Sequence, residues 1–395
     1  MITKFDSLYA GHVDMDNVGY GGMPVNDRRF SNEHLATALE KAEAIAKVAD
    51  RRGFDTFWMA EHHFQHEGYE CIPNLLMMAV HLAHLTRNLR IGCGFNITPM
   101  WHPLRLAEDY AVADILTGGR VTFGVGRGYH TREVETFGAP LRDQAANREL
   151  FEEQVEIIFK AFNLERFSHE GKYYTIPARV PYRGYDLKEL TLVPRPLSRP
   201  VECWQPIQGG TARAMDFMAR MGIQGLVGGG VAEGGAGHNV VLAWQEAHSR
   251  HGRQLALGER LAIGFHCYIA KTREQGIREA GKFHEENLKM FGELRLARAL
   301  SPEQIETMRD PRRPPSASLP RIEDAIAAGG VLCGPPEQII EELKQLEKRY
   351  PGLERVLVQE WVGVPQSVCL EQMERFATEV MPAFHIGRTK TPALA

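Results

Sequence analysis

A chain of 395 residues, 44% of them hydrophobic, is long enough to bury a large core. Its formal net charge of −4 gives no electrostatic reason to expect a nucleic acid or a membrane surface as a partner. The apolar runs are too short for a transmembrane helix, and the first residues, MITKFDSLYAG, lack the basic segment and apolar core of a signal peptide. We therefore expect a cytoplasmic protein whose six scattered cysteines are reduced thiols.

Short apolar segments that predict buried strands alternate with amphipathic segments that predict helices. Strands are predicted at 4–11, 54–60, 90–97, 120–126, 201–208, 222–228, 260–270 and 355–362. Helices are predicted at 32–52, 73–86, 103–117, 147–162, 211–221, 238–251, 272–291, 336–349 and 366–381. Eight strands in such an alternation predict an α/β fold, a single (β/α)8 TIM barrel over residues 1–395. An open doubly wound sheet is the alternative.

Two segments interrupt this alternation. Residues 163–200 are rich in proline and tyrosine and predict a small hairpin with a loop. Residues 292–328 end in RDPRRPPSASLP, a composition that predicts an irregular, mobile loop or lid. Both are expected to be insertions into one barrel domain.

Two glycine-rich turns at predicted strand ends are candidate phosphate sites. Arg127 lies between glycines, where a ligand can approach the backbone and a guanidinium matches the geometry of phosphate. Thr211 follows Gly209 and Gly210 at a predicted helix start, where a hydroxyl and free backbone N–H groups favour an anion. The alternatives are a solvent-exposed arginine and an ordinary N-cap. The spacing does not match the G-x-G-x-x-G dinucleotide motif.

A pair of histidines follows the second predicted strand. Glu61, His62 and His63 come directly after it, and a histidine that titrates near neutrality suits acid–base chemistry at the rim of a barrel. One alternative is a solvated loop. Another is a metal site that these residues form with His66, although the spacing matches no common zinc motif.

Other candidates also lie at strand ends. Phe95 and Asn96 end the third strand, and a flat aromatic cofactor needs such an apolar wall with a polar group to orient it. Core packing is the alternative for both residues. His102, Tyr129 and His130 are candidates for lining the pocket.

Four segments together resemble the bacterial luciferase-like family of flavin-dependent monooxygenases. They are GFDTFWMAEHHF (53–64), HPLRLAEDYAVADILTGGR (102–120), FGVGRGY with the later FG (123–138) and GPPEQIIEEL (334–343). Weaker similarity runs through 201–222 and 376–384. The order and spacing of these segments carry the resemblance, which covers most of the chain outside 292–328.

The resemblance implies a barrel that binds FMN, obtained as FMNH2 from a separate flavin reductase. It also implies activation of O2 as a flavin C4a-peroxide, oxygenation of a small organic substrate and assembly as a homodimer. By similarity, His62 matches the family's catalytic histidine, with His63 beside it. Arg127, Arg148 and Thr211 match positions that bind the flavin phosphate. Gly94, Phe95 and Asn96 match the segment that passes the isoalloxazine ring, where some members have a non-proline cis peptide.

Two positions depart from the luciferases proper. Gly126 stands where they carry a reactive cysteine, and Gly210 stands where they carry an acidic residue. We therefore expect flavin monooxygenation without light emission from a long-chain aldehyde. One alternative is an F420-dependent oxidoreductase that transfers hydride on the same barrel, and another is a non-catalytic flavin-binding subunit. The intact pair of His62 and His63 and the phosphate-binding arginines argue against lost catalysis.

Overall fold

The computed structural model describes residues 1–294, 300–313 and 315–384, without the side chain of Glu293. Its strands are β1 Lys4–Tyr9, β2 Thr56–Met59, β3 Arg90–Cys93, β4 Asn96–Ile97, β5 Val121–Gly126, β6 His169–Glu170, β7 Thr175–Ile176, β8 Pro181–Tyr182, β9 Tyr185–Asp186, β10 Cys203–Ile207, β11 Gln224–Val227, β12 Leu261–Ile269, β13 Val331–Gly334 and β14 Arg355–Gln359. Its α-helices are α1 Asn32–Arg52, α2 Leu75–Leu85, α3 Pro103–Leu116, α4 Thr131–Val134, α5 Gln144–Asn163, α6 Ala212–Met221, α7 Ala236–Arg250, α8 Arg273–Glu293, α9 Pro302–Arg309, α10 Ile322–Ala327, α11 Pro336–Arg349 and α12 Gln366–Arg375. Among the described residues, none of these helices combines the length and apolar character needed to cross a membrane.

Eight parallel strands close into a barrel. Hydrogen-bonded neighbours follow the order β1, β2, β3, β5, β10, β11, β12 and β14, and β14 pairs back to β1. Helices connect the strands, so the predicted (β/α)8 barrel is confirmed. Strand β4 extends the third strand and pairs with β5, while β13 pairs with the carboxyl half of the long strand β12.

The two insertions contain more regular structure than the sequence predicted. Residues 163–200 form two short hairpins, β6 with β7 and β8 with β9. The segment 292–328 was predicted to be irregular, but it contains α9 and α10. Ser301 and Gln304 form a capping box at the start of α9, a local signal that the composition of the segment obscured. Residues 295–299 and 314 lie outside the described residues, and the mobility of the segment stays a prediction.

Apolar side chains fill the barrel below its carboxyl end. Trp58 and Trp204 meet edge to face with ring centroids 5.7 Å apart. Closer to the amino end, Trp58 donates from Nε1 to Asp6 at 2.8 Å, and Arg355 pairs with both Asp6 and Asp55. This plug leaves the carboxyl end of the barrel as the place for a cavity. The inner cluster comprises Leu8, Trp58, Phe95, Trp204, Leu226, Ala262 and Leu357.

Gly124 of β5 is predicted to tolerate no side chain. A Cβ atom there would lie 2.0 Å from the carbonyl oxygen of Cys93 and 2.8 Å from the ring of Phe95. Because the closest atom is backbone, Gly124→Ala should destabilise the protein by about 1–3 kcal/mol. Gly21→Ala is the matched control, since a Cβ at Gly21 meets nothing within 4 Å. Urea denaturation of both variants measures the difference, and equal midpoints would contradict the close packing of β3 against β5.

Buried neutral histidines predict loss of stability in acid. Burial lowers the pKa of His284 from 6.5 to about 4, and its ring packs edge to face on Trp361. Below pH 6.5 the unfolded chain binds a proton that the folded chain excludes, so stability falls as pH decreases from 6.5 to about 4. One such histidine contributes on the order of 1.4 kcal/mol per pH unit. Urea midpoints between pH 7 and 4.5 should fall less steeply in His284→Phe, and parallel slopes would contradict this assignment.

Candidate active site

A cavity of about 350 Å³ opens at the carboxyl ends of the barrel strands. Its lining comes from the ends of β1, β2, β5 and β10, from the starts of α5 and α6, and from Phe291 of α8. Ten residues that the sequence predicted as site residues lie around it. These are Glu61, His62, Gly94, Phe95, Arg127, Tyr129, Arg148, Gly209, Gly210 and Thr211.

One end of the cavity carries positive charge. Burial and the neighbouring guanidinium of Arg148 lower the pKa of Arg127 from 12.5 to about 10. Arg127 donates to the amide oxygens of Asn147 at 3.1 Å and Gln144 at 3.4 Å, and it has no carboxylate partner within 4.0 Å among the described residues. Arg148 lies 3.7 Å from Glu152. Two adjacent arginines with incomplete neutralisation favour an anion.

The start of helix α6 faces the same end of the cavity. Thr211 is the N-cap of this ten-residue helix, and its side chain makes no capping hydrogen bond. Gly209, Gly210, Thr211 and Ala214 line the cavity, so the free N–H groups of the first turn lie near the two arginines. The positive end of the helix dipole adds to the charge of Arg127 and Arg148.

Apolar side chains also line the cavity and form an apolar wall. Leu8, Phe95, Ile207 and Met215 contribute to it. The peptide bond between Gly94 and Phe95 is cis, at the position where some members of the resembled family have such a bond. An apolar wall beside a few polar groups is typical of sites for flat aromatic ligands.

Elsewhere in the same lining, His62 lies between two buried carboxylates. Its Nδ1 is 3.2 Å from Oε2 of Glu133, and its Nε2 is 3.2 Å from Oε1 of Glu70. The hydroxyl of Tyr129 lies 2.9 Å from Nε2 of His62 and donates to Glu70 at 2.7 Å. His130 contacts the second oxygen of Glu70 at 2.9 Å. These groups form one hydrogen-bonded network beside the cavity.

Burial and charge act in opposite directions on His62. Burial alone lowers its pKa, but the carboxylates of Glu70 and Glu133 outweigh burial and raise the pKa above 6.5. The pKa of Glu133 is lowered below 4.5, because the hydrogen bond and charge of His62 outweigh burial. Burial, reinforced by Glu70, raises the pKa of Tyr129 well above 10, so its hydroxyl stays protonated. The network can therefore hold a proton on the histidine.

Residues 22–351 match the family model described as luciferase-like monooxygenase. The chain belongs to this family. A curated relative, the oxygenase component of flavin-dependent trigonelline monooxygenase from Acinetobacter baylyi, is 28% identical over 177 residues, which are 45% of each chain. The matched region therefore spans less than half of this relative's length.

Solved structures of other proteins have the same barrel as this luciferase-like chain. One is the oxygenating constituent of 3,6-diketocamphane monooxygenase from Pseudomonas putida, in complex with FMN. It superposes with a TM-score of 0.70 at 17% identity, and the superposition covers 98% of this chain and 100% of that chain. The F420-dependent tetrahydromethanopterin reductase from Methanopyrus kandleri superposes with a TM-score of 0.61 at 17% identity, covering 97% and 100%. At these identities the likeness is one of fold.

Four residues predicted for the site of this family member lie outside the cavity lining. His102 is exposed and serves as the N-cap of α3, accepting from Leu104 N at 3.3 Å. His63 turns to Glu61 at 3.1 Å. Asn96 is fully buried and donates to the carbonyl of Gly124 at 2.9 Å. His130 lies behind the lining and reaches the cavity through Glu70. Strand alternation and cap geometry direct these side chains away.

Glu61 lines the cavity, but its oxygens are already occupied. It accepts from the backbone of Ile97 at 2.8 Å, from Nε1 of Trp101 at 2.9 Å and from His63. The carboxylate thereby connects the end of β2 to the segment after β4. Its role in the structure is to hold the cavity wall.

Sequence reasoning missed Glu70, Glu133 and Gln205. Glu133 follows His130 by three residues, a spacing that places both on one side of α4, and this signal was available. Glu70 lies in a turn-rich connection with no local signal. Gln205 of β10 belongs to the cavity lining, and its Oε1 is buried without a hydrogen-bond partner among the described residues.

The metal alternative for Glu61, His62, His63 and His66 is not supported by the geometry. His62 contacts Glu70 and Glu133, His63 contacts Glu61, and His66 contacts Glu67 at 3.4 Å, so the three histidines diverge. Ligand-type atoms of His62, Glu70 and His130 do lie within 4.8 Å of one another. Their hydrogen bonds to one another and to Tyr129 account for this proximity.

Proposed function

We propose that the protein is an FMN-dependent monooxygenase that uses reduced flavin and O2 to oxygenate a small organic substrate. One observation carries this proposal. Arg127, Arg148 and the start of α6 form an anion site in the lining of the same cavity that His62 borders. The monophosphate of FMN matches the first feature in charge and geometry, and the second provides a proton-transfer group beside the flavin ring.

The residues present also fit the flavin ring. Gln205 belongs to the cavity lining, and its buried Oε1 has no hydrogen-bond partner among the described residues. We propose it as the acceptor for the imide N–H of the isoalloxazine ring. The apolar wall formed by Leu8, Phe95, Ile207 and Met215 suits the ring faces. When bound, reduced FMN supplies the electrons for O2 activation. The C4a-peroxide implied by the resemblance stays a prediction.

Cofactor binding tests the proposal directly. The purified protein is titrated anaerobically with FMN, reduced FMN and F420, and the reduced-flavin complex is then mixed with O2 in a stopped-flow spectrometer. We expect FMN or reduced FMN to bind more tightly than F420, and a transient absorbance that belongs to neither oxidised nor reduced flavin. Preference for F420 would favour the hydride-transfer alternative. Tight FMN binding without any effect on the reaction of reduced flavin with O2 would favour the non-catalytic subunit.

The proposed activity needs a supply of reduced flavin, so we propose a separate flavin reductase as partner. The relative from Acinetobacter baylyi is itself named as the oxygenase component of its enzyme, which supports this two-component arrangement. All six cysteines are free thiols among the described residues, which supports the proposal of a reducing compartment, and a cytoplasmic location stays a prediction.

We also propose a homodimer. Large apolar side chains are exposed on the neighbouring helices α2 and α3, including Met77 at 72% and Leu116 at 58%. Association of two copies would bury exposed apolar side chains of this kind. Light scattering during gel filtration gives the mass of the particle.

A further inference from the structure

The protonation state of His62 follows from what its two ring nitrogens face. Nδ1 faces Oε2 of Glu133 at 3.2 Å. The other oxygen of Glu133 accepts from Nε2 of Gln65 at 2.7 Å. An ionised carboxylate only accepts hydrogen bonds, so the Nδ1 atom of His62 must carry a hydrogen for this contact to be favourable.

Nε2 of His62 faces two further oxygens. One belongs to Glu70 at 3.2 Å, and the other is the hydroxyl oxygen of Tyr129 at 2.9 Å. Tyr129 has a single hydroxyl hydrogen, and we place it on the shorter contact, to Glu70 at 2.7 Å, because an ionised carboxylate can only accept. The tyrosine oxygen therefore offers lone pairs to His62. Nε2 must also carry a hydrogen, which makes the ring an imidazolium.

We propose that Glu70 and Glu133, together with Tyr129, hold His62 as an imidazolium, so that it enters the reaction as a proton donor and not as a base. Glu133 is a positioning residue in this arrangement, since it lies outside the cavity lining and acts through His62. The proposal rests on the proposed function only for the use made of the proton. The protonation state itself is a property of the protein without flavin.

The charges on every side of His62 agree with this state. From its own segment, Glu61 adds a further negative charge. From the loop before α2 comes Glu70, and from α4 comes Glu133, both with 1% exposure. His130 packs edge to face on His62 with ring centroids 5.1 Å apart. The nearby positive charge of Arg132 is neutralised by a bidentate ion pair with Glu67, in which both nitrogen–oxygen distances are 2.8 Å.

The proton balance of the step is simple. His62 gives the hydrogen on Nε2 to an anionic oxygen that forms on a reactant in the cavity, and no electron is transferred by the protein. The ring becomes a neutral imidazole. Its Nδ1 atom keeps its hydrogen and still donates it to Glu133. A proton from solvent then restores the imidazolium. The two buried carboxylates favour this reprotonation, because a neutral imidazole would leave them without the positive charge that His62 otherwise supplies.

Nitrogen NMR of the flavin-free protein labelled with ¹⁵N-histidine tests the proposal. The His62 signals are identified as those missing from His62→Asn. We expect both nitrogens of His62 to be protonated at pH 7, with titration above the pKa of 6.5 of an unperturbed histidine. In Glu133→Gln and in Glu70→Gln, the imidazolium signal should be lost at pH 7 and titration should move to lower pH. A neutral His62 at pH 7 in the unaltered protein would overturn the proposal.

Two comparisons separate this effect from a general disturbance. Glu43→Gln removes the carboxylate from the exposed pair of Glu43 and His81, which are 2.8 Å apart, and it should leave the His62 signals unchanged. If Glu133→Gln does not fold, Glu70→Gln alone decides the matter. An imidazolium that persists unchanged in both glutamine variants would overturn the roles of the two carboxylates.

The same variants give a second readout once turnover is measured. Activity that needs the imidazolium should be lost as pH rises through the pKa of His62, and in Glu133→Gln this loss should occur at lower pH. A loss of activity toward low pH instead would indicate a base and overturn the proposal. Failure of FMN to bind would contradict the proposed function. The NMR result would still test the protonation state of His62 independently.

Discussion

Replacing His62 with asparagine should lower kcat of the proposed monooxygenase by about 10²–10⁴-fold, the usual contribution of a positioned proton-transfer group. His62 is 4% exposed and borders the cavity, and its proton is held by Glu70 and Glu133. Asparagine retains a hydrogen-bond donor but cannot give up a proton. Steady-state turnover with saturating reduced FMN measures the effect, and the Kd of FMN should change little because His62 is not among the groups proposed to bind the phosphate.

Two histidine variants frame this prediction. His63→Asn should have a much smaller effect, since His63 contacts Glu61 and does not line the cavity. His84→Asn, on the exposed side of α2, should behave like the unaltered protein. Equal losses in His62→Asn and His63→Asn would show that the pair supports the loop and that neither histidine transfers the proton.

Replacing Arg127 with methionine should weaken FMN binding by about 10- to 100-fold. A hydrogen bond to a charged group contributes about 1.5–3 kcal/mol, and 1.4 kcal/mol corresponds to a factor of ten. Burial and Arg148 already lower the pKa of Arg127 to about 10, so a bound phosphate relieves a repulsion as well as accepting hydrogen bonds. Fluorescence titration with FMN measures the change.

Riboflavin provides the decisive comparison for Arg127. It has the same ring system as FMN and lacks the phosphate, so its Kd should be nearly the same in Arg127→Met and in the unaltered protein. Arg105→Met is the matched control, because Arg105 is 67% exposed and pairs with Glu108 on α3. If FMN and riboflavin lose affinity equally in Arg127→Met, then Arg127 supports the loop and does not bind phosphate.

Much of the barrel could be predicted because local patterns determine it. A buried parallel strand is a short apolar run, and the eight runs that form the closed ring are long enough to be recognised. Strand β13 was missed, because four residues before a proline turn resemble loop. It exists because β12 extends beyond its other neighbours and offers free backbone groups at His266–Ile269.

The proposed phosphate-binding residues could be predicted from the sequence for a topological reason. Arg127 and Thr211 each follow a parallel strand, and the carboxyl ends of such strands meet at one rim. Their chemistry is also local, since a glycine-rich turn and a helix start bind anions by themselves. Asn96 and His102 do not line the cavity, because proximity to a strand end does not fix the direction of a side chain, and their roles at the site stay predictions.

By itself, the sequence determined the order of strands and helices, the rim that carries the polar residues, and the family to which the chain belongs. Only the tertiary structure decided that Glu70 and Glu133, 63 residues apart in number, approach the two nitrogens of His62 from opposite sides. The reason is that periodicity encodes which face of an element is buried, whereas contacts between loops depend on how the closed barrel positions their ends. The charge state of His62 belongs to this second class, since it is set by distances of about 3 Å that no local pattern contains.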